Sequence, residues 1–210
     1  MKDFDNPFEG ALGGAIYDAA ARLTGYGPGF ERRAALAIPL RSDSRVLDLG
    51  CGTGGLSAAL ARRRGGVRVT GLDISRRQLA RAAQKLERSP ARVELLRGSM
   101  VELPFADETF DGVVASMSLH ALERDRRPAA VAEVARVLRP RGRFALVEWR
   151  PRLGFKAALW LPFVLGERDG DNWRGRYPEI CAEAGLGLES EVSFSSMDRC
   201  QVFIRDRTFR

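Results

Sequence analysis

Two aspartates and a run of glycines carry the clearest chemical signal in this chain. The stretch "VLDLGCGTGG", residues 46–55, takes an apolar run with one carboxylate, Asp48, straight into Gly50, Gly52, Gly54 and Gly55. A glycine-rich turn between a strand and a helix lets a ligand approach bare backbone N–H groups. Gly50, Gly52 and Gly55 fit the G-x-G-x-x-G of a dinucleotide loop, and Asp73 lies about as far downstream as a ribose-binding carboxylate does there. Asp48, just ahead of the first glycine, discriminates. An unpaired carboxylate at that place repels the roughly two negative charges of a pyrophosphate. It attracts a cofactor that presents an ammonium and a sulfonium instead, as S-adenosylmethionine (SAM) does.

The elements that must hold these residues are legible from periodicity. From Arg45 onward, apolar strand-like runs alternate with amphipathic helical segments. "RVLDLG", "VRVTGLDIS", "RVELLRG", "FDGVVASMS" and "GRFALVEW" read as five strands. "GGLSAALARRR", "RRQLARAAQKLERS" and "PAAVAEVARVLRP" read as helices, the second capped by Ser75 with Leu79, Ala82, Ala83 and Leu86 as its buried stripe. The third opens at Pro128 and ends before Pro140. Such β-α-β alternation implies a parallel sheet covered on both faces. The tail breaks the pattern. "RYPEICAEAGL" reads as a helix stopped at Gly185, and "GLESEVSF" and "CQVFIRDR" as two strands joined by the short polar turn "SSMDR", a relation that favours antiparallel pairing. Residues 1–43 precede the alternation, with helical pieces near 11–23 and 29–38 split by "TGYGPG".

Composition sets the outer bounds. A chain of 210 residues, 45% hydrophobic, suffices for one substantial core and a single domain. No run approaches the roughly 18–20 uncharged apolar residues that cross a bilayer. The start, "MKDFDNPFEGALGG", has acidic residues and no secretory apolar region, and Cys51, Cys181 and Cys200 form neither a disulfide framework nor a zinc set, so a cytoplasmic, reducing setting is expected. His120 is the only histidine, which argues against a histidine-built metal site, and no metal is expected. The net charge of +7 comes almost wholly from arginines dispersed near helix ends, so it reads as a solvated basic surface rather than a nucleic-acid footprint.

With these motifs in order, the chain resembles the class I SAM-dependent methyltransferases. It is similar in particular to the methyltransferase type 11 group, which includes the ubiquinone and menaquinone C-methyltransferases. The resemblance spans roughly Arg45 to Trp149 and rests on "VLDLGCGTG", "GLDIS", "RGSMVELPFADETFDGVVAS" and "VARVLRPRGRFALVE". It implies an α/β, Rossmann-like class I methyltransferase fold: a seven-stranded, mostly parallel sheet with an antiparallel C-terminal hairpin and helices on both faces. Within one methyltransferase domain (1–210), residues 1–43 would form an N-terminal helical lid, 44–150 the SAM-binding core, 151–184 a substrate cap and 185–210 the strand pair. The resemblance places Asp48, Gly50, Cys51, Gly52 and Gly54 around the methionine end of SAM, with Asp48 organising its ammonium group. It puts Asp73 on the ribose hydroxyls, Ile74 beside the adenine, and Ser99, Met100 and Ser116 around the remainder of the cofactor. Two departures stand out. Ser99 occupies a position where relatives commonly have an acidic residue for the adenine amino group, and a neutral hydroxyl is a weaker acceptor. The quinone C-methyltransferases carry an Arg-Asn pair where this chain has His120 and Ala121.

Methyl transfer from a sulfonium is an in-line displacement, so alignment and exclusion of water do much of the work. A base is needed when the acceptor arrives protonated. Ligands of open α/β sheets sit beyond the carboxyl ends of the strands, which places Ser116, Met117 and His120 after strand four, and Glu148 and Trp149 after strand five, near the acceptor. His120 is the candidate base, with Glu148 as a second one. Tyr17 and Tyr26 of the leader are candidates to close over the acceptor. "RLGFKAALWLPFVLGER", 152–168, has Phe155, Leu159, Trp160 and Phe163 at helix-like spacing between basic residues. It reads as a helix packed on the sheet or as an apolar substrate cap that touches a lipid surface.

The expectation is therefore a SAM-dependent methyltransferase acting on a small, hydrophobic acceptor such as a quinone, lipid or secondary metabolite. Peripheral membrane contact stays open as a partner relation, and the oligomeric state is not fixed by the sequence. Two rivals stay open as well. A nucleic-acid methyltransferase is disfavoured because "SMSL" stands where base N-methyltransferases show an Asn/Asp-Pro-Pro-aromatic box. A SAM-binding protein without turnover is compatible with the intact loop.

Overall fold

The computed structural model of the chain describes residues 27–87, 93–149, 176–195 and 198–206. Helix α1 (Pro28–Ala37) leads into β1 (Arg45–Leu49), α2 (Gly55–Ala61), β2 (Arg68–Asp73), α3 (Arg76–Glu87) and β3 (Val93–Arg97). After β4 (Phe110–Ser116) come two short 3-10 turns, Leu119–Ala121 and Arg124–Arg126, then α4 (Arg127–Val137), β5 (Leu138–Trp149), α5 (Tyr177–Glu183), β6 (Leu186–Ser195) and β7 (Asp198–Arg205). The strands form one seven-stranded sheet in the order β3-β2-β1-β4-β5-β7-β6. β1 to β5 pair in parallel, and β7 inserts antiparallel between β5 and β6, so it alone opposes the other six. The expected fold class holds.

Alternation along the strands divides the apolar residues between two faces. Leu47 and Leu49 of β1, Val113 and Ala115 of β4, Phe144 and Leu146 of β5 and Phe203 of β7 pack with Val131 and Val134 of α4 and Tyr177 and Ile180 of α5. Their neighbours Val46, Val114, Ala145, Val147, Cys200 and Val202 pack on the opposite face with Phe30 and Ala34 of α1 and Leu56 and Leu60 of α2. Burial on both faces explains the near-continuous apolar runs of the central strands. The leader's second helical piece is thus built into the core as α1. Its first piece, with Tyr17 and Tyr26, lies outside the described residues, as does the 152–168 segment with Trp160.

Two local departures have simple causes. Strand five starts at Leu138 rather than at Gly142, because Pro140 bars a helix and holds Arg139 extended, while buried Leu138 pairs with Phe110. The C-terminal strands run further into "SSMDR" than expected: β6 reaches Ser195 and Asp198 already opens β7, its Oδ1 accepting the Phe194 N–H at 3.0 Å. In α3, Ala82 and Leu86 are buried while Leu79 and Ala83 are half-buried, and the Gln78 N–H reaches the Ser75 hydroxyl at 3.3 Å, the cap its sequence implied.

Strand order reverses direction at β1 and β4, the strands that leave the sheet's centre on opposite sides. In open α/β sheets ligands bind outside the carboxyl ends of the strands at such a switch point. The core beneath it depends on large rings. Phe144 and Phe203 are fully buried and stack with centroids 6.0 Å apart. Phe144→Ala is expected to cost about 3–5 kcal/mol of unfolding free energy, read by urea denaturation, with the far-ultraviolet spectrum unchanged.

Candidate functional site

The turn after β1 is held from both sides. Leu72 of β2 accepts the N–H groups of Gly50 and Cys51 through its carbonyl, at 2.8 and 3.0 Å. Asp73 closes the next link: its Oδ2 accepts the Gly52 N–H and its Oδ1 the Ser75 N–H, both at 2.8 Å. The carboxylate expected on a ribose therefore also splints the glycine turn to the start of α3. Ser118, after β4, donates its buried hydroxyl to the Leu49 carbonyl at 2.7 Å.

The glycines are required for different reasons. Gly50, Gly52 and Gly54 all have positive φ, at 76°, 52° and 75°. A Cβ on Gly50 would overlap the Ser118 Cβ and lie 2.8 Å from Met100 Cε, so Gly50 exists to let those side chains close in. A Cβ on Gly54 would stand 3.1 Å from the Ala82 Cβ, which makes it a packing glycine between α2 and α3. At Gly52, no atom of the described residues lies within 4 Å of such a Cβ. Among the described residues, the space outside Gly52 is clear.

Asp48 is buried beneath this turn at 1% exposure, on the α2 side of the sheet, and the Ser57 hydroxyl donates to its Oδ2 at 2.5 Å. Burial pushes its carboxyl up to about 7; the Ser57 bond opposes this, while the charges of Asp73 and Glu31 add to it. Glu31 comes from α1, and its carboxylate lies against Gly55, where a Cβ would strike it. Three carboxyl groups thus converge on the turn. Lys85, an exposed basic side chain, also reaches the turn, donating to the Thr53 hydroxyl at 3.0 Å. Burial, with Asp48 and Asp73, pushes the Cys51 thiol up, so it behaves as an apolar wall rather than a nucleophile.

The other expected positions fall along the same rim. Ile74 is half-buried, and its carbonyl accepts from Arg97 Nε at 3.0 Å. Ser99 pairs in a one-residue bridge with Glu102, and Met100 packs on the core beside Gly50. Ser116 ends β4 in register with Val147, and Met117 follows it with φ 51°. Trp149 ends β5, its backbone in register with Asp198. Tyr17 and Trp160 fall outside the described residues.

His120 and Glu148 meet. His120 Nδ1 is 2.8 Å from Glu148 Oε2, and the His120 backbone N–H reaches Oε1 at 3.4 Å. Glu148 is 1% exposed. Arg127, itself buried, donates Nη2 to the His120 carbonyl at 3.0 Å and Nε to the Leu122 carbonyl at 3.1 Å, with the guanidinium 6.0 Å from the Tyr177 ring centroid. Sequence reasoning passed over Ser118, Glu31 and Arg127. Ser118 stood in plain view within "SMSLH". Glu31 and Arg127 are separated from the motifs they serve, and in one sequence they look like ordinary charged helix residues.

Comparison with known proteins agrees with this geometry. A family model described as "Methyltransferase domain" matches residues 46–142. The chain is 34% identical over 180 residues to the demethylmenaquinone methyltransferase of Thermus thermophilus, covering 80% of each chain. It is 33% identical over 168 residues to the enzyme of that name from Desulfitobacterium hafniense, covering 76% of this chain and 66% of the relative. It is 33% identical over 194 residues to the 27-O-demethylrifamycin SV methyltransferase of Amycolatopsis mediterranei, covering 91% and 60%. The chain spans less than two thirds of the length of the latter two. Among solved structures, a SAM-dependent methyltransferase of Aquifex aeolicus shares the fold with a TM-score of 0.69 at 19% identity, over 90% of this chain and 95% of that one. The chain belongs to the class I SAM-dependent methyltransferases and is related to the quinone C-methyltransferases.

Two glycine substitutions separate packing from access. Gly50→Ala is expected to destabilise the fold by several kcal/mol, because backbone and Ser118 must both move. Gly52→Ala is expected to cost only about 1–2 kcal/mol of left-handed backbone strain. Thermal melts of the two variants check the order.

Proposed function

We propose that this protein is an enzyme that transfers the methyl group of SAM to a small, hydrophobic acceptor. The observation that carries the reading is the Gly52 turn, open on its outer side and backed by Asp48, Asp73 and Glu31. SAM fits this donor set: its ammonium and sulfonium relieve the mutual repulsion of the carboxyl groups, and its ribose offers hydroxyls to the remaining lone pairs of Asp73. A pyrophosphate would add negative charge to the same place, and exposed Lys85 is too well solvated to offset it. Asp48 faces the ammonium group, Gly50 to Gly54 border the methionine moiety, and Ile74, Ser99 and Met100 flank the adenine. The acceptor lies toward Ser116, Met117, His120 and Trp149. Residues 44–150 form the cofactor core and 185–210 the strand pair of a single domain. When bound, SAM supplies an electrophilic methyl group, and the chain's task is to orient the partners, exclude water and handle the proton.

The acceptor class is supported by relatives named for demethylmenaquinone and 27-O-demethylrifamycin SV. His120-Ala121, standing where the quinone enzymes carry Arg-Asn, points away from an identical acceptor.

The cofactor assignment is tested through pH. A bound cation favours the ionised form of Asp48, so binding SAM below pH about 7 requires that carboxyl to lose its proton. Affinity for SAM, read by isothermal titration, is expected to be flat above that pH and to weaken by up to roughly tenfold per unit below it. Asp48→Asn removes the dependence and weakens binding. The same variant raises the unliganded melting temperature above pH 7. The sign follows from the raised folded-state value: ionisation of Asp48 costs stability as pH climbs from the unfolded value toward about 7, and the cost persists beyond. Gly52→Ala loses SAM binding while staying folded. Tight binding of NAD, or SAM affinity indifferent to pH in the wild type, contradicts the reading.

A further inference from the structure

One polar atom at the start of α3 is out of water and has nothing to bond. Gln78 is half-buried as a residue, and its Oε1 is buried with no hydrogen-bond partner among the described residues. An amide carbonyl in that state costs free energy, and folded proteins seldom keep one without a use. The helix that carries Gln78 fixes its place. Residues four and seven apart in a helix share a face, so Gln78 stands on the side of α3 that presents Ala82 and Lys85. Both of those meet the glycine turn. Ala82 Cβ lies 3.1 Å from where a Gly54 Cβ would stand, and Lys85 reaches the Thr53 hydroxyl at 3.0 Å. Gln78 continues that row one helical turn nearer the start of α3. There its N–H reaches the Ser75 hydroxyl, the Ser75 N–H reaches Asp73 Oδ1, and the Gly52 N–H reaches Asp73 Oδ2. A short chain of hydrogen bonds therefore ties the backbone of Gln78 to Gly52, while its side-chain oxygen stays unused.

We propose that Gln78 contacts the cofactor, its Oε1 accepting one hydroxyl of the SAM ribose while Asp73 takes the other. This rests on the SAM reading above. SAM brings three kinds of donor: the ammonium group, the adenine amino group and two adjacent ribose hydroxyls. In that reading the ammonium group faces Asp48 and the adenine lies along Ile74, Ser99 and Met100. The ribose stands over Asp73, the carboxylate bonded to the same turn of chain as Gln78. Each Asp73 oxygen already accepts one backbone N–H, so a second acceptor spares it from serving both hydroxyls. A neutral amide suits that task better than a further carboxylate. Asp73 and Glu31 already push the Asp48 carboxyl up by their charge, and another anion would add to the crowding. A buried acceptor also discriminates, because a sugar lacking the hydroxyl leaves it unpaired.

Methionine makes the test direct. Gln78→Met keeps an unbranched side chain of similar helix propensity and removes the acceptor. In the full chain without ligand, the variant is expected to melt about 2–4 °C higher than the wild type, because an unpaired buried oxygen is gone. By isothermal titration it is expected to bind SAM and S-adenosylhomocysteine about tenfold more weakly. Stability and affinity thus move in opposite directions, which loss of a merely structural contact would not produce. The 2′-deoxy and 3′-deoxy forms of S-adenosylhomocysteine identify the partner. For one of them, wild type and Gln78→Met are expected to bind within about twofold of each other. A variant that melts below the wild type overturns the unpaired acceptor. Unchanged affinity for S-adenosylhomocysteine, or the same loss for both deoxy ligands, overturns the ribose contact. A wild type that binds neither SAM nor S-adenosylhomocysteine removes the cofactor reading and this assignment with it, whereas binding indifferent to Gln78→Met removes this assignment alone.

Discussion

A carboxyl group out of water beneath the glycine turn is the constraint from which the rest of the site follows. Asp48 sits in a central parallel strand, where backbone pairing leaves it no freedom to reach solvent. Bonds from the Ser57 hydroxyl and the Ser57 backbone N–H are its compensation, and two neighbouring carboxyl groups work against it. A fold selected for stability alone would place a valine there. The unfavourable charge is tolerable because the protein is otherwise well buried on both faces of its sheet. Under the function proposed above, a cation at the mouth turns that cost into affinity.

The turn above Asp48 must be rigid for that exchange to work, since a mobile loop would let water screen the carboxyls. Rigidity comes from β2 and β4 rather than from the loop's own residues. Leu72 and Asp73 fasten its inner edge, and Ser118 fastens its base. Asp73 splints Gly52 to Ser75, and the proposed function gives it the ligand's ribose as a second task. Its removal cannot be read as loss of a ligand contact alone. Gly52 differs from its neighbours because its freedom serves the space outside the protein, whereas Gly50 and Gly54 serve packing within it.

The sequence made the sheet, its helices and the turn legible because each is encoded locally. Strand alternation, Ser75 as a cap, Pro128 and Pro140 as punctuation and the glycine spacing all act over a few residues. Where strand five begins was missed because a proline within a strand pairing reads like a break, although buried Leu138 still completes the ladder. The contacts that were invisible are those between distant positions. Glu31 lies in the leader, Arg127 stands at a helix start, and the partnership of His120 with Glu148 joins the turn after β4 to the end of β5, which only the sheet order makes neighbours. Both members of that pair were candidate bases in the sequence. Their contact ranks them, since a carboxylate whose oxygens face an imidazole and its backbone N–H serves that ring first.

Fold alone does not choose a reaction, and a superposition at 19% identity carries the fold and nothing more. What is specific to this chain lies in how the sheet connects two tasks. The cofactor turn issues from β1, and the histidine turn issues from β4, the adjacent strand across the switch point. Because the strands pair in parallel, both turns emerge at the same edge, and Ser118 joins them through Leu49. β5 then delivers Glu148 to that edge one strand further on. The relative placement of the two turns and of Glu148 is therefore fixed by strand register, which a substitution in a surface loop cannot shift.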